Sequence, residues 1–311
     1  MVSRFKGGSF GFEGEYPEEI TPPENFMLFA AGNEDNGAQI GTDDASPRYF
    51  YRIFICEDPE EKAVEVLTAS VEGKLGQMPE PVVRRDDLVV YQSGNLEYRL
   101  IGIRGLDRSY AFYAERDEKH ADIYFSLKEK GYIRYDTIFV SLFALERRMM
   151  EQNALILHSC CIEHNGKSIL FTAPSGVGKS TQGSLWENHR GACVLNGDRS
   201  LLYKSTEDGV WHATGWPVCG SSEICRQFDL PIQAIVWLSQ EPLNSIIPMR
   251  AAETYSKITS QITINKWNTD AHMKALDLIM ELISEVKVLH LGCTISEEAV
   301  AVLEAAIDER I

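Results

Sequence analysis

Short apolar runs divided by turn residues fill the first part of the chain, and helical spacing enters only later. Between positions 26 and 126 the runs are Phe26–Ala31, Tyr49–Cys56, Ala63–Ala69, Leu88–Gln92, Leu96–Ile103, Tyr110–Ala114 and Ala121–Phe125. They are rich in Tyr, Phe, Val and Ile, which suit a pleated, half-buried surface. Asp43-Asp44, Asp58-Pro59 and Ser93-Gly94-Asn95 separate them as turns. This pattern predicts an antiparallel β domain. Residues 1–25, rich in Gly, Pro and Glu and closed by Pro22-Pro23, predict an irregular arm. Over 136–152, Ile138, Phe139, Leu142, Phe143, Leu145, Met149 and Met150 recur near helical spacing. Arg147-Arg148 lies where positive charge suits a helix C-terminus, so a linking helix is predicted whose apolar stripe packs a core.

The second half alternates strands and helices. Ala154–Ile162 and Ser168–Thr172 flank His164-Asn165-Gly166-Lys167, and Asn-Gly between two apolar runs is a strong hairpin signal. A glycine-rich loop and a helix follow. Ala192–Leu195, Leu201–Tyr203, Val210–Ala213, Ile232–Leu238 and Val286–Leu291 read as strands; 251–262, 270–285 and 296–307 read as helices. The expected architecture is an α+β, β-rich N-terminal domain of undisclosed role over 1–135. An α/β domain with a mixed sheet, carrying the nucleotide site, is expected over 136–311.

Composition narrows the function. The chain has 311 residues, 44% hydrophobic and 24% charged, enough for about two ordinary globular domains. Its formal net charge of −16 disfavours nucleic acid and anionic membrane surfaces as partners. No apolar run reaches 18 residues, and the two N-terminal positive charges precede no apolar signal core, so a cytoplasmic location is expected. The seven cysteines include no C-x-x-C pair, giving neither a disulfide framework nor a zinc site. They read as reduced small hydrophobes, with Cys160 and Cys161 pointing to opposite faces of one strand.

Residues 173–180 read A-P-S-G-V-G-K-S, the phosphate-binding loop pattern with Ala at its first glycine position. In such a loop, glycines at 176 and 178 let successive amides turn inward, and the helix that follows adds its positive end. Ser175, Gly176, Val177, Gly178, Lys179, Ser180 and Thr181 are the expected contacts for a nucleotide. Lys179 supplies a point charge and Ser180 a hydroxyl for Mg²⁺. ATP and Mg²⁺ are the expected cofactors. Asp198 follows an apolar run 18 residues past Ser180 and is the candidate metal-side carboxylate. His158 lies in the strand paired with the one that delivers the loop, where an imidazole suits proton transfer. His164, His189 and His212 read as surface or turn residues. Asn265-Lys266-Trp267-Asn268 mimics a guanine-reading N-K-x-D, but Asn268 stands where a carboxylate is needed.

The order of hairpin, loop, helix and Asp-bearing strand resembles the HPr kinase/phosphorylase and ATP-dependent phosphoenolpyruvate carboxykinase superfamily, closest to small HPr-kinase-like proteins. The resemblance rests on Leu157-His158-Ser159, Ala173 to Thr181, Leu195 to Leu201, and Gly215-Trp216-Pro217-Val218-Cys219-Gly220. It implies a mixed-sheet α/β fold of that type and phosphoryl transfer to a hydroxyl of a protein, peptide or small molecule. It also implies two adjacent aspartates, whereas Gly197 stands at the first of these positions. Asp198 then keeps the metal role, and His158 or Glu223 is the candidate base. The 215–223 loop is expected to border the acceptor site, and Arg226 is a further cation there. Homo-oligomeric assembly, as in HPr kinases, stays open. The alternative is a catalytically impaired nucleotide-binding regulatory module.

Overall fold

In the computed structural model, which describes residues 1–7, 10–30, 49–70, 77–106 and 108–309, the described chain forms two compact units that meet in sequence between Leu145 and Glu146. The Asp43-Asp44 turn lies outside the described residues. The first unit contains β1 (Val2–Gly7), β2 (Phe10–Glu15), α1 (Glu24–Met27), β3 (Tyr49–Cys56), α2 (Pro59–Ser70), β4 (Val83–Arg85), β5 (Leu88–Ser93), β6 (Leu96–Gly102), β7 (Ser109–Glu115), β8 (His120–Ser126) and α3 (Asp136–Ser141). Helix α4 (Leu145–Glu151) leads into the second unit.

The first unit is one eight-stranded sheet in the order β1-β2-β3-β8-β7-β6-β5-β4. It is mixed, not antiparallel as expected, because β3 runs parallel to both β2 and β8. Alternation of side chains sets which face is buried, and it carries no information on strand direction. The expected irregular arm is an antiparallel pair, β1 with β2. Its Phe5 and Phe12 join Phe26, Tyr51, Phe139 and Phe143 in one aromatic cluster.

Of the runs read as strands, Phe26–Ala31 begins inside a helical turn and Ala63–Ala69 is wholly helical. Phe26 lies in α1, whose turn begins at Pro23 and whose ring fills the aromatic cluster. Ala63–Ala69 lies in α2. Asp58 Oδ1 caps that helix by accepting from the amides of Glu60 and Glu61 at 2.8 and 3.3 Å. Ala63 and Leu67 are spaced to face Leu100, Phe112 and Ala114 in one core. The single helix expected over 136–152 is two, α3 and α4, broken where Ala144 takes a left-handed φ of 48°.

The second unit contains β9 (Ala154–His164), β10 (Lys167–Thr172), α5 (Lys179–Arg190), β11 (Cys193–Asn196), β12 (Arg199–Lys204), β13 (Trp211–Thr214), β14 (Asp229–Gln240), β15 (Ser245–Ile246), α6 (Ala251–Gln261), α7 (Thr269–Glu285), β16 (Val288–Cys293) and α8 (Glu297–Asp308). Asn165 and Gly166 both have positive φ, 53° and 75°, as a two-residue β9–β10 hairpin turn needs. Two long strands are shared between arms of the mixed sheet. β9 pairs with β12 through its first half and with β10 through its second. β14 pairs with β13 near its start and runs parallel to β10 thereafter. β16 continues the parallel set beside β14. Strand β16 begins two residues later than its apolar run suggests, because Val286 still closes α7 by donating to Leu282 O at 2.9 Å.

The sheet is covered on both faces. Trp186 of α5 and Val300 and Leu303 of α8 pack with Cys160, Ile162 and Phe171. Ile258 of α6 and Ile279 and Leu282 of α7 pack with Cys161, Leu170 and Ile235. Cys160 and Cys161 therefore serve opposite cores, and all seven cysteines are free. Among the described residues no helix is long and apolar enough to cross a membrane.

His212 departs from its reading as a plain surface residue. Its Nδ1 lies 2.8 Å from Asp229 Oδ1 and its Nε2 3.0 Å from Asp208 Oδ2, tying the β12–β13 turn to the start of β14. Burial pulls the imidazole pKa down, but the hydrogen bonds to Asp208 and Asp229 outweigh it and leave it raised above 6.5. The paired imidazolium thus stabilises fully below pH 6.5, and its contribution fades as pH rises through the raised folded value. Urea unfolding at pH 6 and pH 8.5 is expected to show a larger loss for the wild type than for His212→Gln, by about 1 kcal/mol or less because the pair is solvent-screened.

Candidate functional site

Strand β10 ends at Thr172, and the chain turns through Pro174 to Gly178 before α5 begins at Lys179. Gly176 and Gly178 have φ of 81° and 121°, conformations that L side chains rarely adopt. Ser175, Gly176 and Ser180 are exposed, while Val177, Gly178 and Thr181 are half-buried. Lys179 folds back into the loop: its Nζ donates to Ala173 O at 3.0 Å and Pro174 O at 3.4 Å. Burial lowers the pKa of this ammonium, while the charge of Asp198 acts in the opposite sense. Gln240, at the end of β14, donates to Val177 O at 3.3 Å and ties the loop to the neighbouring parallel strand.

A second element is the turn between β11 and β12. Asn196 is fully buried. Its Nδ2 donates to Trp216 O and Val218 O at 2.9 and 3.1 Å, and its Oδ1 accepts from the amides of Asp198 and Arg199 at 2.8 and 2.9 Å. One side chain therefore fixes both the Asp198 turn and the 216–218 segment. A Cβ on Gly197 would lie 2.0 Å from Ser222 Oγ, so Ser222 fills the space a side chain at 197 would need. A Cβ on Gly220 would lie 3.1 Å from Asp198 Cβ, which places the 219–222 turn against that carboxylate.

The β9–β12 register sets Arg199 opposite His158. The carboxylate of Asp198 lies between them, with Oδ1 3.5 Å from His158 Nε2 and Oδ2 3.3 Å from Arg199 Nε. His158 Nδ1 is 3.2 Å from Gln261 Oε1, and Arg199 Nη1 donates to Thr263 Oγ1 at 3.0 Å. Burial first, and then the Lys179 charge, push the His158 pKa below 6.5 against Asp198 and Gln261. The shift favours the neutral imidazole, and the partner at Nδ1 bears on which ring nitrogen carries its proton.

The fold thus brings Lys179, Asp198 and His158 into electrostatic reach of one another. Glu223 is exposed and takes a left-handed φ of 56° at the end of the Gly220–Ser222 turn, and Arg226 is exposed. Asn268 caps α7 by accepting from Ala271 N at 2.9 Å, a helix-start role that accounts for the N-K-W-N run. Asn196, Arg199 and Gln261 complete the site. The first two flank Asp198 in sequence; Gln261 is 103 residues from His158 and has no local signal.

These groups suit a metal-chelated polyphosphate. A buried ammonium and a glycine loop at a helix start are phosphate ligands, and an exposed Ser180 hydroxyl with the Asp198 carboxylate are hard oxygen donors of the kind Mg²⁺ takes. Among the described residues no three His, Cys, Asp or Glu side chains gather into a metal cluster.

Fold and site together define a mixed α/β protein with a glycine loop and a histidine–aspartate–arginine group on neighbouring strands. Residues 130–298 match the sequence model of ScmC, the SynChlorMet cassette protein, over more than half of the chain, and the chain belongs to that family. This corrects the HPr kinase/phosphorylase-like resemblance: the family that matches is ScmC and not an HPr kinase family. The segments that carried the resemblance are short and built around turns, and such pieces recur on unrelated chains. No curated protein matches the chain.

Proposed function

We propose that the chain is a kinase that binds Mg·ATP at 173–181 and transfers the γ-phosphoryl group to a hydroxyl of a protein, peptide or small molecule. The observation that carries this reading is the Asp198–His158 pair standing within electrostatic reach of Lys179, at a glycine loop that enters a helix. The loop amides and Lys179 hold the β- and γ-phosphates, and Ser180 and Asp198 hold the metal. Magnesium neutralises phosphate charge when bound. Arg199 aligns the Asp198 carboxylate, and Gln261 fixes the His158 tautomer. The acceptor oxygen bonds to the γ-phosphorus, the bond to the β-phosphate oxygen breaks, and the hydroxyl proton passes to His158 Nε2. Phosphoryl transfer leans on positioning and charge more than on a strong base, so a neutral histidine suffices.

Purified protein incubated with γ-labelled ATP, Mg²⁺ and pooled protein, peptide and alcohol acceptors tests this. Label transfer is expected to fall about a hundredfold in His158→Asn, the scale of one general base, while ATP binding is retained. Equal transfer by wild type and His158→Asn removes the histidine from the chemistry. One observation favours a second reading, a nucleotide-binding regulatory module without catalysis: Ser222 fills the place of a side chain at 197, leaving Asp198 as the single carboxylate of that turn. Tight ATP binding with no transfer to any acceptor selects it.

A further inference from the structure

The turn at 219–223 lies against the Asp198 carboxylate. Asp198 Oδ1 is 3.5 Å from His158 Nε2, and a Cβ on Gly220 would lie 3.3 Å from the same oxygen, so histidine and turn meet at one carboxylate atom. Two residues on, Ser222 Oγ occupies the notch left by the missing side chain at 197, 2.0 Å from where a Cβ would stand. One Cα–Cβ bond and one Cα–Cα step then put this hydroxyl within about 7.5 Å of Asp198 Cα. The flanks of the turn are tied down: Asn196 Nδ2 donates to Val218 O at 3.1 Å, and Gly197 N donates to Ile224 O at 3.3 Å. The hydroxyl itself is held locally. It donates to Cys219 O at 2.6 Å and accepts from Ile224 N at 3.3 Å. Gly220 and Glu223 both have left-handed φ, 58° and 56°. Glu223 carries a side chain, so its backbone is under strain that another turn conformation relieves. Other described hydroxyls around Asp198 are enclosed or engaged. Thr172, Ser159 and Ser200 are buried, Thr263 Oγ1 accepts from Arg199, and Ser180 is the metal-side hydroxyl, whereas Ser222 is half-buried.

We infer that Ser222 is the site's own acceptor: it takes a phosphoryl group in cis, and the phosphate then holds the 219–223 turn open. The inference rests on the phosphoryl-transfer reading and gives it a named acceptor. In the step, Ser222 Oγ bonds to the γ-phosphorus, the bond to the β-phosphate oxygen breaks, the hydroxyl proton goes to His158 Nε2, and ADP leaves. The attacking oxygen has to come to about 3–3.5 Å from the phosphorus. That is a short swing for a turn already seated beside the metal-side carboxylate. Return is then blocked. The notch at Gly197 takes a hydroxyl, whereas a phosphate brings three further oxygens and a charge of about −1.5 to −2. It cannot reseat there, and it is repelled by Asp198. The opened turn leaves Asp198 Oδ1 and His158 Nε2 accessible to a second acceptor, so one transfer within the chain primes the site for transfer to others.

The test incubates the 311-residue chain with Mg²⁺ and γ-labelled ATP and no other acceptor, followed by intact mass and peptide mapping. One phosphoryl group per chain is expected, at Ser222, with a rate constant that dilution of the protein leaves unchanged, as transfer in cis requires. Ser222→Ala should take no label while keeping its circular dichroism, and Ser222→Thr should keep the label at 222. Asp198→Asn should slow labelling at least a hundredfold. In the phosphorylated chain the Ile224 amide, released from Ser222 Oγ, should exchange at least tenfold faster. Label at another residue such as Ser221, a rate that rises with protein concentration, or an Ile224 amide that phosphorylation leaves unchanged overturns the inference. Parallel incubations with the pooled acceptors separate it from the reading beneath it. Label on the acceptors without label on the chain overturns the inference alone; label on neither overturns both.

Discussion

Asp198→Asn is expected to lower the phosphoryl-transfer rate by about a hundredfold to a thousandfold, the cost of removing one charged group aimed at a reacting centre. The carboxylate meets His158 Nε2 on one oxygen and Arg199 Nε on the other, so the isosteric amide preserves shape while deleting charge. The same change should alter binding in a way that a merely structural residue would not. Asp198 repels bare phosphates beside Lys179, so metal-free ATP should bind about threefold to tenfold more tightly in Asp198→Asn. The gain that magnesium gives to affinity should shrink accordingly. Titrations with and without EDTA, together with rates from γ-labelled ATP, read both effects. An unchanged magnesium dependence would take Asp198 out of the metal role.

Lys179→Ala should weaken Mg·ATP binding about a hundredfold, close to 2.8 kcal/mol, the scale of one or two charge-assisted hydrogen bonds. Stability should hardly move. Among the described residues the ammonium donates to the carbonyls of Ala173 and Pro174, at the mouth of a loop whose next residues are exposed and can take water. A shift of a few degrees in the melting temperature with a hundredfold loss of affinity marks a ligand-holding lysine. A large loss of stability with retained affinity marks a packing one.

Much of this site could be read along the chain because its parts are local. The hairpin turn at Asn165-Gly166, the glycines that need positive φ and the lysine that opens α5 lie within 15 consecutive residues. Asp198 could be placed because it follows an apolar run. The partners that orient these groups are not local. Gln261 reaches His158 from the end of α6, and Ser222 reaches Gly197 from a separate turn, and no spacing rule joins such positions. The first unit was misread for a related reason. Ala63–Ala69 has β-like composition, but the Asp58 cap and the spacing of Ala63 and Leu67 make it helical. Phe26 has strand-like neighbours in sequence, but four aromatic rings, Phe5, Phe12, Phe139 and Phe143, hold it in the cluster. The ring-to-ring packing of distant segments, not local preference, decided that element. The family resemblance failed differently: a shared loop chemistry suggested a lineage, and the match over 130–298 is to ScmC.

Isothermal titration of the 311-residue chain with Mg·ATP tests the claim on which the functional account rests, that the 173–181 loop holds a nucleoside triphosphate. One-site binding in the micromolar range, lost in Lys179→Ala, is the expected result. Absence of heat up to millimolar ATP and GTP, or binding that Lys179→Ala leaves unchanged, contradicts it.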